Sequence, residues 1–339
     1  MNKSVSVFLV GLLTGALLAT GVFALFVRDQ NLSGQESGQH IVLKLGHSLD
    51  TSHPVHAGMV YMAEQLALKS GGSVVLEIYP NGQLGSETEC IEQLQRGALA
   101  MTKTSSAPME GFIPEMGVFG IPYIFRDADH FWRVLEGPIG KELALAGEAV
   151  GLRGLCYYDA GSRSFYTTNT PVLNPDDLTG LKIRVMKSKT MMDMVDALGG
   201  SPTPIPWGEL YTALQQKMVD GAENNLPSFY TNRHFEVARH FSIDEHSRVP
   251  DILLMSSIVW NRLPVYVQQW VQESADASSR YQRDLWAQKT AEALAAIEAE
   301  GVKVYYPDKR AFVQKVAAMH RSYEGTAVGQ LLNRILETE

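Results

Sequence analysis

The chain is poor in cysteine. Its 339 residues contain two, Cys90 and Cys156, too few for a disulfide framework. Cys156 sits in the apolar run Leu152 to Tyr158 and reads as a buried thiol; pairing with Cys90 is the alternative in an oxidising compartment. Positive charge is also scarce. There are 29 Lys and Arg against 37 Asp and Glu, a formal net charge of −8. That balance argues against nucleic acid and against an anionic membrane surface as partners. It leaves an anionic small ligand open, because a few buried arginines decide that locally. Enzyme signatures are missing too: there is no P-loop, no GxGxxG, no GxSxG and no HExxH. Glu87 and Glu223 form an acid–base pair only in the sense that any two glutamates do. The expectation is a binder without cofactor or metal, not an enzyme.

What is present is a well-stocked core. Hydrophobic residues make up 45% and charged residues 19% of the chain, a globular composition long enough for two lobes. Lys3 and the apolar run Val5 to Val27 read as a targeting segment over residues 1–27. Val22-Phe23-Ala24 offers a small-residue cleavage pattern. The run is also long enough to span a bilayer, so an uncleaved anchor is the alternative. Both readings place the folded part outside the cytoplasm, with membrane contact only through that segment. Residues 28–40 have a polar, Gly- and Ser-containing linker composition.

From Ile41 onward, strand-like and helical segments alternate to about Ala160, which predicts an α/β lobe with a largely parallel sheet. Pro54 to Lys69 reads as a helix. Ser86 with Glu89 is a capping-box pattern that opens another. A second lobe starts near Gly161, with a short strand Leu181 to Met186, a helix from Lys187 to Gly199, and a helix Trp207 to Met218. In that last helix Leu210, Leu214 and Met218 would share one face. Ile252 to Met255 reads as a buried strand, and the break-free stretch from Pro264 to Gly301 as one helix on the order of 55 Å long. The expected division is lobe I at 41–160 and 250–288 and lobe II at 161–249 and 289–339, with the helix of about 264–300 crossing both.

Several polar residues end otherwise apolar runs. Arg184 follows Ile183 near the end of a strand, and in open α/β sheets ligands bind beyond the carboxyl ends of the strands. Its planar guanidinium suits a carboxylate; a surface pair with Asp176 or Asp177 is the alternative. Arg163 follows Gly161 where the chain passes between lobes, either as a ligand contact or as an interlobe salt bridge. Asn224 can donate and accept toward a ligand, or stabilise a turn. Trp207 and Tyr211 read as an apolar wall for a ligand or as a core pair. His47, His53 and His56 lack the fixed, convergent spacing of a zinc site; they read as bonds to ligand hydroxyls or as caps of their loop.

Five ordered motifs then point to a family. They are Ile78-Tyr79-Pro80-Asn81-Gly82-Gln83-Leu84-Gly85, Pro122-Tyr123-Ile124-Phe125-Arg126, Gly180-Leu181-Lys182-Ile183-Arg184, Pro204 to Tyr211, and Asp220-Gly221-Ala222-Glu223-Asn224. Over about residues 41–325 the chain resembles the DctP-like solute-binding proteins of TRAP (tripartite ATP-independent periplasmic) transporters. The resemblance implies a two-lobed, periplasmic-binding-protein-like α/β fold with hinge strands and one long helix spanning both lobes. It implies periplasmic capture of a small organic acid and delivery to a permease with small and large membrane subunits. It assigns the main carboxylate salt bridge to Arg184, supporting roles to Arg163 and Asn224, and first-lobe contacts to Ser48, Glu87 and Ser105. Where the family's sialic-acid binders carry a Glu and an Arg, this chain has Ser105 and Pro108, which argues against sialic acid. The polar set His47, Ser48, Asp50, Ser52 and His53, with Glu87 and Lys103, suggests a polyhydroxylated ligand, a sugar acid such as a hexuronate. A C4-dicarboxylate whose second carboxylate meets Lys103 or Lys187 is the runner-up, and a periplasmic sugar-acid-processing enzyme the third reading.

Overall fold

A computed structural model describes residues 40–339; the targeting segment and all of the linker but its last residue lie outside them. The first sheet is built from β1 (Ile41–Gly46), β2 (Val74–Tyr79), β3 (Met101–Ser105), β4 (Leu152–Tyr158) and, from much later in the chain, β10 (Asp251–Ser256), in the order β2-β1-β3-β10-β4. The second holds β5 (Arg163–Thr167), β6 (Lys182–Val185), β7 (Ser201–Pro204), β8 (Gly221–Asn224), β9 (His240–Ser247) and β11 (Lys303–Tyr305), in the order β11-β9-β5-β8-β6-β7.

The expected largely parallel first sheet is corrected in one respect. β1 and β3 are parallel, but β10 runs antiparallel to both β3 and β4. The chain returns from the second sheet at Asp251, opposite Ser105 and Tyr158, and so enters beside the carboxyl ends of its neighbours. β5 leaves from that same edge. One rim therefore gathers the ends of β3, β4, β6, β7 and β8 with the starts of β5 and β10. Sequence-distant residues meet there.

Helix α1 (Pro54–Ser70) starts at His53, whose side chain accepts from Val55 N, and ends at a left-handed Gly71. Helix α2 (Glu87–Gln95) opens with the expected capping box between Ser86 and Glu89. In the second sheet, alternation sends Phe165 and Tyr166 to opposite faces. Phe165 packs with Ile183, Val185 and the Met191, Met194 and Val195 side of α3 (Lys189–Leu198). Tyr166 packs with Leu210, Leu214, Phe241 and with Phe229 of α4 (Leu226–Thr231). Both faces are covered, so the sheet's own polar groups reach a ligand only at its rim.

The long helix α5 (Val265–Ala299) has 35 residues, close to expectation and about 52 Å from end to end. It packs on α1 in the first lobe and on α4 in the second. Between them Gln282 clasps the first hinge segment, accepting from Asp159 N at 2.7 Å and donating to Asp159 O at 2.9 Å. Trp286 closes over Gly161, where φ is +59° and a Cβ would sit 2.8 Å from the indole nitrogen. Only glycine fits that passage between the sheets.

Two further segments differ from the sequence reading. Trp207–Glu209 is a 3-10 turn and only Leu210–Gln215 is α-helical. Left-handed Lys217 stops the helix, which leaves Met218 59% exposed while Leu210 and Leu214 are buried. The last helix, α6 (Ala327–Glu337), buries Leu331, Leu332 and Ile335 in the first-sheet core, although the sequence division put residues 289–339 with the second lobe.

Candidate functional site

Strand parity sets the electrostatics of the rim. In β6 and β8, Arg184 pairs with Ala222; in β5 and β8, Tyr166 pairs with Ala222 and Phe165 with Glu223. Directly opposed residues share a face. Arg184 thus shares its face with Ala222 and Tyr166, while Glu223 projects to the other face with Arg163. One arginine receives a carboxylate and the other does not.

Arg184 is 2% exposed. Its Nε donates to Ile205 O at 2.8 Å, and its guanidinium lies 5.7 Å from the centre of the Trp207 ring. Nη1 is buried with no hydrogen-bond partner, and Arg184 forms no ion pair among the described residues. The surface pair with Asp176 or Asp177 does not form. Asp176 meets Lys315, and Asp177 caps its own turn through Leu173 N and Asn174 N. Behind the guanidinium stand Trp207, Tyr166 and His234; burial and the Arg184 charge push the His234 ring down to about 3, so it is neutral. Burial likewise presses the Arg184 pKa downward. This is a desolvated cation without an anion.

Arg163 is fully engaged. It donates to both carboxylate oxygens of Glu223, to Glu223 O at 2.8 Å, and through Nη1 to Asn224 Oδ1 at 2.8 Å. Burial raises the Glu223 pKa, but Arg163 and His246 outweigh it and hold the carboxyl at about 2. Burial lowers His246, yet Asp244 at 2.8 Å and Glu223 at 3.5 Å lift it to about 9. The interlobe salt bridge is therefore replaced by a pair within one sheet. Arg163 lines only the narrow inner end of the cleft, with its charge already met by Glu223. The sequence named Glu223 but missed His246 and Asp244, because six of the eight residues of β9 are polar and nothing in the run singles these two out.

On the first-lobe side of the rim, Lys103 Nζ lies 2.9 Å from Asp251 and 3.5 Å from Glu87. Glu87 also accepts from Ser105 N at 3.1 Å. Burial pushes the Asp251 carboxyl up to about 6 against the pull of Lys103. Lys103 is thus occupied by two acids and has no spare charge for a second ligand carboxylate.

The histidine loop departs from the sequence reading. His47 Nδ1 accepts from Leu49 N and its Nε2 meets His56 Nδ1 at 3.0 Å, in a buried setting that pushes its pKa down to about 3. His53 caps α1, and its Nε2 reaches Ser228 Oγ of α4 at 3.1 Å. Neither lines the cleft; of this loop Ser48 does, at both its outer and inner parts. Both imidazoles are consumed in holding the loop, the capping alternative. Tyr211 also turns away, donating to Glu236 at 2.8 Å. Trp207, Arg184, Ser48 and Glu87 line both parts of the cleft, and Ser105, Lys103 and Asn224 line the inner one.

The outer cleft encloses ≈ 490 Å³ and narrows to an inner space of ≈ 30 Å³, within the size range of small-molecule sites. Its polarity is graded: Arg184 and the rim residue Lys187 at one side, Glu87 and Asp251 at the other.

Comparisons with known proteins agree on one group. The family model described as bacterial extracellular solute-binding protein, family 7 (DctP) matches residues 45–326. The protein YiiZ of Salmonella typhimurium is 37% identical over 281 residues, covering 82% of this chain and 86% of that one. A TRAP periplasmic solute-binding protein from a Bradyrhizobium species, solved with galacturonate, superimposes with a TM-score of 0.85 at 41% identity, covering 87% of this chain and 99% of that chain. A second, from Roseobacter denitrificans with bound β-D-glucuronate, gives 0.85 at 36% identity over 88% of this chain and 100% of that one.

Proposed function

The chain belongs to the DctP family of bacterial extracellular solute-binding proteins, and on that premise we propose that it captures a hexuronate in the periplasm and presents it to a TRAP-type permease with small and large membrane subunits. The observation that carries the reading is Arg184: a buried cation with no acid partner and an unpartnered Nη1, on a residue that lines the cleft. An uncompensated buried charge costs several kcal/mol, and a ligand carboxylate offsets that cost. Because Nε is taken by Ile205 O, the carboxylate docks on the terminal nitrogens of the guanidinium.

The opposite side of the cleft selects the rest of the ligand. Glu87 and Asp251 share one lysine, so that side accepts hydrogen bonds and repels a second carboxylate. Sugar hydroxyls suit it. Asn224, whose Oδ1 is fixed by Arg163 and by its neighbour's N–H, completes the carboxylate's surroundings, with Ser48 and Ser105 beside the hydroxyls. The galacturonate and glucuronate bound by the two solved relatives support the same class. A C4-dicarboxylate is the second reading, favoured only by Lys187 at the rim. Bridging both lobes, the ligand shifts an open–closed equilibrium about the segments 159–162 and 248–250.

A thermal-shift screen on ligand-stripped protein tests this. A ligand at about 100 times its dissociation constant adds roughly 2.7 kcal/mol of stability. Glucuronate or galacturonate should raise the melting temperature and C4-dicarboxylates should not. The reverse pattern would overturn the substrate class, and silence with both classes the receptor reading.

A further inference from the structure

Buried polar atoms without partners are few among the described residues, and only two of them belong to residues that line the cleft: Arg184 Nη1 and Trp207 Nε1. The first belongs to the carboxylate anchor. The second has a different meaning, because an apolar wall needs no N–H. Trp207 follows Pro206 at the start of the 3-10 turn Trp207–Glu209, and its ring is wedged between the Arg184 guanidinium at 5.7 Å and the His234 ring at 4.9 Å. Those contacts fix the direction of the indole. Buried donors are ordinarily satisfied, and leaving one unmade is unfavourable. Phenylalanine would supply the same wall without that penalty.

We propose that Trp207 is a specificity-determining residue whose indole N–H donates to an acceptor oxygen of the bound sugar acid, beside the carboxylate held by Arg184. The inference rests on the sugar-acid reading. Arg184 demands only an anion; Trp207 demands in addition an oxygen placed next to it. A hydroxy or cyclic sugar acid offers one on the carbon adjoining the carboxylate, whereas a simple fatty acid of equal charge does not. The two donors together thus read a carboxylate and its neighbouring oxygen as one unit.

Calorimetry on wild type and Trp207→Phe with D-glucuronate and D-galacturonate, together with ¹⁵N spectra of the tryptophan indoles, tests the assignment. The variant keeps the ring and loses the donor. We expect roughly tenfold weaker binding, about 1.4 kcal/mol, with an unchanged or higher melting temperature for the ligand-free variant, since no protein hydrogen bond is lost. The indole resonance absent from the variant should move downfield when wild type is saturated. Binding within twofold of wild type, with no such movement, would reduce Trp207 to a wall and overturn the inference while the sugar-acid reading stands. A wild-type protein that binds neither uronate sinks that reading and the inference with it.

Discussion

Arg163 and Arg184 flank the same strand and differ in almost everything that matters. Arg163 shares a face with Glu223, which is itself backed by His246 and Asp244, so four charged groups close on one another inside the second lobe. Arg184 shares a face with Ala222 and looks onto aromatic rings and an open cleft. A count of arginines near the rim would call both ligand anchors. Period-two alternation along β8 separates them: one residue earlier or later, and Glu223 would silence Arg184 instead. Arg163 is paired within the sheet and holds Asn224, and Arg184 is the charge left unpaired, which the proposed function assigns to the ligand carboxylate.

That contrast is broken most forcefully from the framework side. Arg163→Ala leaves Glu223 buried with only His246, at 3.5 Å, to face it, and breaking a buried pair costs about 3–5 kcal/mol. Denaturant unfolding should show that loss. Combining it with Glu223→Gln should recover part of the stability, and additive losses would mean the two residues do not act as a pair. On the other side, Arg184→Ala should weaken hexuronate binding by about 2–5 kcal/mol while leaving the ligand-free protein as stable as before, or more so. Arg184→Lys should bind poorly as well, because an ammonium lacks the guanidinium's edge. Calorimetric affinity unchanged in Arg184→Ala would remove the anchor from this account.

These roles were unevenly legible in the sequence. Arg184 and Asn224 stood out as polar residues at or beside the end of a short strand, Trp207 as half of an aromatic pair with Tyr211, and Glu87 through the family resemblance; elements with strong local signals follow the pattern: α1, the capping box of α2 and the unbroken α5. What sequence could not convey was which side chains are already spoken for. Lys103 looked like a spare cation, but Asp251 meets it from a strand 148 positions later in the chain. His47 and His53 looked like hydroxyl binders, yet backbone N–H groups two residues on occupy their Nδ1 atoms. The antiparallel β10 was hidden for a related reason, since strand direction depends on where the chain re-enters, not on its composition.

Smaller effects come from pH, and they separate the two sides of the rim. His246 is lifted from 6.5 to about 9 in the folded protein, so its contribution is complete below pH 6.5 and is lost as pH rises through 9. Asp251 is lifted from 3.8 to about 6, so its contribution is complete below pH 3.8 and is lost as pH rises through 6. Stability measured by denaturant across pH should therefore decline in two windows. His246→Gln should flatten the upper one and leave the lower, and Asp251→Asn should do the opposite. A single window that survives both substitutions would contradict the assignment of separate networks.

The smallest expected effect sharpens the comparison by moving it across the cleft. Glu87 is the acid that Lys103 holds least closely, at 3.5 Å against 2.9 Å for Asp251, and its carboxylate stands in both parts of the cleft. Glu87→Gln keeps the shape and an acceptor oxygen but removes the charge. Hydroxyl recognition should then weaken by about 1–2 kcal/mol, the difference between a charged and a neutral acceptor. Repulsion of a second carboxylate should fall at the same time. Relative affinity for a C4-dicarboxylate over glucuronate, measured by competition calorimetry, should accordingly rise in the variant. If the ratio stays where it is in wild type, selection against dicarboxylates lies elsewhere than in the acids opposite Arg184, and the graded polarity of the cleft is not what excludes them.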